Sequence, residues 1–475
     1  MLDGLFLPLI VGAGLVLIVP RRFAPPVALV AIAAAGLVAI WEVRRMLGGE
    51  ASWGLGGMLR LDGTGAIVLL LVLTLGFFAA LVSSQTEEWP RRFYALLLAF
   101  TTTMTLAATA DNLGLLWASV EATTLSSALL VGHRRTRQST EAAWKYLILS
   151  STGILFAFVA TIMLVLAGRG AGQTTLSASG LMAAAGGMDP GLVRLAMVLA
   201  LVGYGTKAGI VPYHFWLPDA HSEAPAPVSA LLSGVLLSCA LLALDRFIRI
   251  GRSAGEPMQD MHLTLGAVSV VVGGALVLAA HTFKRMLAYS SVENMGLVLF
   301  ALGLASPLAM MGAYLHVVAH GVAKALAFFS AGRVHHHLDT VEIAKAHNLL
   351  ERTPAAGRGL LVGLLALAGV PPLAPFASKF VILGAAIALA EWPYVAALLF
   401  GLVLAFTGFV RHLATMMPHR DLESARAPST PFSEPASVTT TLVLLAVLNL
   451  VICLAGPLAI GAFLDGVALA QAAVP

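Results

Sequence analysis

The sequence predicts an all-α polytopic membrane protein of about 14 spanning helices, two of them interrupted, with two inverted five-helix repeats. Three observations carry this expectation. Hydrophobic residues fill 59% of the 475 positions and charged residues only 11%, far from the composition of a soluble domain. Mean hydropathy is +0.91. Apolar runs long enough to cross a hydrocarbon core of roughly 30 Å recur along the whole chain, separated by short segments holding Arg, Pro, Gly and acids.

In order, the first three runs lie near 4–20, 26–43 and 65–84. The first is followed by Arg21 and Arg22, not by a small-residue cleavage site, so it reads as a span and not as a removed signal. The next five fall near 93–110, 112–132, 142–167, 192–217 and 226–248, and five more near 263–281, 285–304, 308–332, 357–390 and 394–417. A last run covers 437–465. The seventh contains Gly203, Gly205, Gly209, Pro212 and Pro218, and the twelfth contains Gly369, Pro371, Pro372 and Pro375, so each is expected to break near mid-membrane. Breaks separated by an odd number of spans point in opposite directions through the bilayer, which suggests the inverted repeats. The expected organisation is therefore N-terminal helices in 1–92, a first repeat (spans 4–8) in 93–250, a second (spans 9–13) in 262–418 and a final helix in 436–475. Proline acting only as a kink is the structural alternative.

The net charge of +4 comes mainly from loop arginines, which favours a positive-inside explanation over nucleic-acid binding. Segments following odd-numbered spans hold Arg21, Arg22, Arg91, Arg92, Arg134, Arg135, Arg137, Lys284, Arg285, Arg333, Lys345, Arg352, Arg358, Arg411, Arg420 and Arg426. That bias puts those loops in the cytoplasm and both termini outside. Cys239 and Cys453 lie in apolar runs with no CxxC spacing, so no disulfide, haem or iron–sulfur site is expected within this chain.

Three lysines, Lys207, Lys324 and Lys379, lie deep in apolar sequence. Each costs on the order of 2.5–3.5 kcal/mol at a span centre, so packing alone would favour Leu or Met. Glu121 and Glu293 are the matching acids. Burial disfavours a charged ammonium and a nearby carboxylate favours it, so a Glu–Lys pair whose separation changes can take up and release a proton. Glu121 and Lys207 are expected to face each other; a static ion pair between spans 5 and 7 is the structural alternative. His316, His320 and Lys324 recur at i, i+4 and i+8, stacking on one face of the eleventh span as a candidate proton ladder. The competing metal reading lacks the Glu of HExxH and an evident third ligand. His335, His336 and His337 read as a solvated helix end, and Lys284 and Arg285 as positive-inside residues. Asp219, His221 and Glu223 either gather protons at a mouth or cap the next helix.

These residues sit in motifs that resemble a known family. GTKAGIVPYHFWLPDAHSEAPAPVSALLSG at 205–234, KRMLAYSSVENMG at 284–296, HVVAHGVAKALAFFSAG at 316–332 and GVPPLAPFASKF at 369–380 are similar to the antiporter-like subunits of respiratory complex I, Mrp cation/proton antiporters and membrane-bound hydrogenases. NLGLLWASVEATTLSSALLVG at 112–132 and EAAWKYLILSSTGI at 141–154 look most like component F of the hydrogenase-4 type. The resemblance implies 14 helices with inverted repeats and a polar axis at mid-membrane. Glu121 and Lys207 would be its controlling pair, Lys379 the ionisable residue of the twelfth helix, and His316, His320 and Lys324 the connection between halves. It also implies partners: other membrane subunits and a peripheral redox or hydrogenase module, in a bacterial or archaeal cytoplasmic membrane. Nickel–iron and iron–sulfur centres would belong to those partners, and none to this chain. Ser238 stands where many relatives carry a further lysine, which leaves a gap in the titratable axis. The chain also ends soon after the last span, without the lateral helix that one complex I subunit carries. Two other roles stay open on the sequence: a subunit of a stand-alone sodium/proton antiporter or inorganic-carbon uptake system, and a non-conducting anchor for a soluble enzyme.

Overall fold

The computed structural model describes residues 2–86, 89–417 and 434–472. Arg420 and Arg426, counted above as cytoplasmic charges, lie outside the described residues. The N-terminal helices are α1 (Phe6–Ile18), α2 (Ala24–Leu47) and α3 (Gly63–Thr86). Next come α4 (Arg91–Thr109), α5 (Leu113–Val131), α6 (Arg137–Gly170), the short α7 (Ala178–Ala184) and α8 (Pro190–Ala208). The short α9 (Leu217–Glu223) and α10 (Ala226–Leu231) lead through a π-helical turn, Leu232–Leu236, into α11 (Leu237–Ser253). There follow α12 (Gln259–Leu278), α13 (Phe283–Gly303), α14 (Pro307–Leu338), α15 (Leu349–Arg352), α16 (Pro354–Ala368), α17 (Ala374–Ala388), α18 (Trp392–Met416) and α19 (Ala436–Ala472).

Among the described residues, 11 helices are long and apolar enough to cross a membrane, while Leu2–Ile18, Pro354–Ala368 and Ala374–Ala388 are shorter apolar helices. The all-helical expectation needs one addition, an antiparallel pairing of Trp53–Gly54 with Leu59–Arg60.

Local chemistry sets the helix starts. Asn112 accepts from the Leu115 N–H to cap α5, Thr136 and Ser139 form a reciprocal capping box on α6, and Asp189 precedes Pro190 at the first position of α8. Both interruptions end in the same way. Gly209 closes α8 with φ +75° and Gly369 closes α16 with φ +81°, a left-handed conformation that a side chain would resist. Each is followed by a short irregular segment with a cis proline, Pro212 in one and Pro372 in the other.

Burial sorts the helices into centre and rim. The most apolar stretch of Ala226–Ser253 is 100% buried and those of Phe283–Gly303 and Pro307–Leu338 are 94% and 89% buried, against 17% for Ala436–Val467. The helices of Glu293, His316, His320 and Lys324 are therefore protein-lined, where such groups can find partners, whereas the most apolar stretches of the helices of Glu121 and Lys207 are 50% and 61% buried. Small residues let the central backbones meet: a Cβ on Gly321 of α14 would lie 2.9 Å from the Gly234 carbonyl oxygen.

Candidate functional site

The last turn of α8 carries Lys207 into a fully buried position. Its ammonium donates to Thr124 Oγ1 at 2.8 Å and to the Tyr146 hydroxyl at 2.6 Å, and lies 4.6 Å from the centre of the Tyr146 ring. Tyr146 in turn shares a 2.8 Å hydrogen bond with Ser127. Glu121, expected to face this lysine, does not touch it directly. Glu121 accepts from Ser151 at 2.6 Å and from Thr124 at 3.4 Å, so Thr124 stands between the acid and the lysine. Thr124 lies three residues after Glu121 on the same helical face, where its hydroxyl reaches both charges.

The directly paired lysine belongs to the other half. Lys379 donates to Glu293 Oε1 at 2.9 Å and to the Leu367 carbonyl, also at 2.9 Å. Leu367 is in the last turn of α16, whose carbonyls have no partner in their own helix, so the break itself supplies an acceptor to the charge. Glu293 continues the network: its other oxygen accepts from Asn294, whose amide oxygen lies 2.9 Å from His316 Nε2. His316 Nδ1 lies 2.8 Å from Ser378 Oγ. Asn294 and Ser378 escaped the sequence analysis. Their only signal was adjacency to Glu293 and Lys379.

Between the two sites lies a region of buried polar groups with few partners. Lys324 donates to Ser290 Oγ at 2.6 Å and to the Leu287 carbonyl. The His316 and His320 rings stack with centres 6.2 Å apart, and neither nitrogen of His320 has a hydrogen-bond partner among the described residues. Ser238 Oγ is likewise buried and unpartnered. His221, read as either a mouth residue or part of a helix cap, is fully buried, and neither of its nitrogens has a hydrogen-bond partner among the described residues. Its ring sits 6.2 Å from that of Trp216 and 5.9 Å from that of Phe328. Trp216 also lies beside Lys207 and Phe328 beside Lys324, each 5.9 Å from the ammonium. The turn after the first break thus turns His221 inward between the two lysines.

Asp219, two residues earlier, points the other way and pairs with Arg285 at 2.5 Å and Lys145 at 3.5 Å, tying α9 to α13 and α6. Lys284, read as a positive-inside residue, is buried. It is 3% exposed and donates to the Ser222 and Ala224 carbonyls, capping the end of α9. Among the described residues no group of three or more His, Cys, Asp or Glu side chains is arranged to hold a metal ion.

Two glycine-capped helix breaks, each beside a buried, hydrogen-bonded lysine, thus lie inside a multi-pass bundle of the antiporter-like class of membrane subunits. The transmembrane family described as NADH:quinone oxidoreductase/Mrp antiporter matches residues 110–405, and the chain belongs to that family. It is 36% identical over 349 residues to a hydrogenase-4 component F homolog of Methylacidiphilum infernorum, covering 70% of this chain and 73% of that one. It is 30% identical over 341 residues to hydrogenase-4 component B of Escherichia coli, covering 68% of this chain and 50% of the relative. Among solved structures, a chain of an archaeal membrane-bound sulfane sulfur reductase superimposes with a TM-score of 0.88 at 23% identity, covering 99% of this chain and 97% of the other. A chain of the Mrp complex from Dietzia superimposes with a TM-score of 0.85 at 17% identity, covering 99% and 97%. The protein is an antiporter-like, multi-pass membrane subunit of the kind found in complex I, membrane-bound hydrogenase and Mrp-type assemblies.

Proposed function

We propose that this subunit moves protons across the membrane within an energy-converting, hydrogenase-like or complex I-like assembly. Other membrane subunits and a peripheral redox module are its partners, and any nickel–iron or iron–sulfur centres reside there. The observation that carries the proposal is the matched placement of Lys207 and Lys379, each buried beside a glycine-capped helix break. Counted with α1, α4 and the joined pair α16–α17, the 11 long apolar helices among the described residues make 14 crossings, and spans 4–8 and 9–13 form the two inverted repeats. This organisation follows the divisions 93–250 and 262–418, with both termini outside.

In the first half, Thr124 relays between Glu121 and Lys207. Withdrawing Glu121 removes the counter-charge that keeps the buried ammonium protonated, and its proton leaves through Tyr146 or the buried region around His221. His221, Ser238 and His320 have the unused hydrogen-bonding capacity to pass a proton between the lysines, so the missing lysine at position 238 does not sever the axis. In the second half, Lys379 and Glu293 form the corresponding pair, coupled through Asn294 to His316.

The test begins with the native complex, purified through a tag on this chain, whose co-purifying subunits identify the redox module. Inverted vesicles are energised in turn with NADH, formate and hydrogen while internal acidification is followed by dye quenching. Lys207→Ala and Glu121→Gln are expected to leave the complex assembled and to lower acidification about a hundredfold and tenfold, respectively. Intact acidification in both variants would leave only an anchoring role.

A further inference from the structure

The end of the molecule away from His335–His337 contains a second, separate set of buried charges. The N-terminal end of α14, beginning at Pro307, borders a cavity of about 540 Å³ that is also lined by Arg60, Asp62, Asp111, Arg246 and Arg249. Seven residues along α14, some 10 Å inward by helical rise, Tyr314 is 3% exposed and donates to Asp245 Oδ2 at 2.8 Å. The same carboxylate is 2.6 Å from Arg249, four residues further along α11. The pair is asymmetric: Asp245 is 1% exposed, whereas Arg249 is 31% exposed and lines the cavity. Asp245 Oδ1 is buried and has no hydrogen-bond partner among the described residues.

Other charges hold the surroundings in place. Arg246, 6% exposed, lies 3.7 Å from Asp62 and 4.0 Å from Asp111, and Asp111 accepts from Ser177 and Ser179 at 2.5 Å and 3.0 Å. Beyond Asp245, Arg249 reaches Thr64 Oγ1 at 3.3 Å. A staple between α11 and α14 would need only one satisfied polar contact. A buried acid with a free oxygen, held by a phenol on the inner side and a partly exposed guanidinium on the outer side, has the parts of a gate.

We propose that Asp245 is the proton gate between the polar axis and this cavity, with Arg249 as its movable counter-charge and Tyr314 as its inner contact. With Arg249 in place the carboxylate is ionised. When Arg249 swings into the cavity, the buried carboxylate loses its counter-charge and takes a proton from Tyr314, whose oxygen accepts one from the axis in exchange. The return of Arg249 expels the proton from Asp245 to water in the cavity, so one proton crosses and every group regains its starting state. The gate rests on the proton-moving reading above.

The experiment uses the same inverted vesicles. Asp245→Asn is expected to lower acidification about tenfold or more with the complex assembled, Asp245→Glu to recover most of it, and Tyr314→Phe to lower it several-fold. If wild type acidifies, Lys207→Ala does not and Asp245→Asn acidifies at the wild-type rate, the gate is overturned while the proposed function stands. If wild type itself does not acidify, the proposed function fails first. Should Asp245→Asn not assemble, the paired Asp245→Asn, Arg249→Gln variant removes both charges; restored assembly without transport supports the gate, and restored transport overturns it. A readout on the unaltered complex needs no variant at all. A hydrophobic carbodiimide, which reacts with protonated buried carboxyls, is expected to modify Asp245 during turnover, and its absence from Asp245 by peptide mass spectrometry overturns the proposal.

Discussion

Lys207 and Lys379 meet the same difficulty, an ammonium surrounded by apolar helices, with different partners. Lys207 is held by two neutral hydroxyls, with its acid one residue removed; Lys379 touches its acid directly and draws a helix-end carbonyl as well. Breaking a buried pair by neutralising one member leaves the other charge uncompensated, at a cost of about 3–5 kcal/mol, whereas removing both is often nearly neutral. Glu293→Gln is therefore expected to destabilise the protein strongly, and Glu293→Gln combined with Lys379→Met to recover much of the loss. Glu121→Gln should cost markedly less, because Thr124 and Tyr146 remain for Lys207. Thermal unfolding of the detergent-solubilised complex checks the order, and equal losses for Glu121→Gln and Glu293→Gln would refute it.

At the scale of elements, the two glycine-capped breaks and the glycine contacts between central helices place these side chains. Gly234, in the π-helical turn before α11, and Gly321 of α14 meet backbone to backbone, and a Cβ on either would fall 3.1 Å or less from the other's carbonyl oxygen. The crossing brings Ser233 to Ser291, 2.7 Å apart, one turn from the buried lysine network. Gly321→Val would force the helices apart at a cost of about 1–3 kcal/mol and lengthen the path between Lys324 and His221. Reduced abundance in the membrane and slower acidification are expected. Gly14→Ala, where the added Cβ meets nothing within 4 Å, is the control that should change neither.

Across the whole molecule, a densely buried centre is strapped by lipid-facing helices. The last of these, α19, is anchored at its start by a 2.6 Å ion pair between Glu434 and Arg333, the two side chains 1% and 6% exposed. Arg333 lies on α14 shortly after the His–Lys ladder, so the pair joins the rim to the helix at the centre of the site. Glu434→Gln is expected to raise amide exchange at the beginning of α19 at least several-fold, with α14 protected as before. Unchanged exchange there would show that apolar packing alone holds the helix.

Hydropathy determined that the chain is a helical membrane bundle, because a backbone in hydrocarbon must satisfy its own hydrogen bonds and about 20 apolar residues are needed to do so. Glycine and proline placed the breaks near Gly209 and Gly369, since their backbone limits act locally. The expense of an intramembrane charge singled out Lys207, Lys324, Lys379, Glu121 and Glu293. Which acid touches which lysine could not be read in this way: helical spacing gives the face of one helix, but partners such as Glu293 and Lys379 are 86 residues apart. The inward turn of His221, the burial of Lys284 and the contact of Tyr314 with Asp245 were decided by tertiary packing. Their neighbours come from helices distant in sequence, and only the assembled fold brings those side chains within hydrogen-bonding distance.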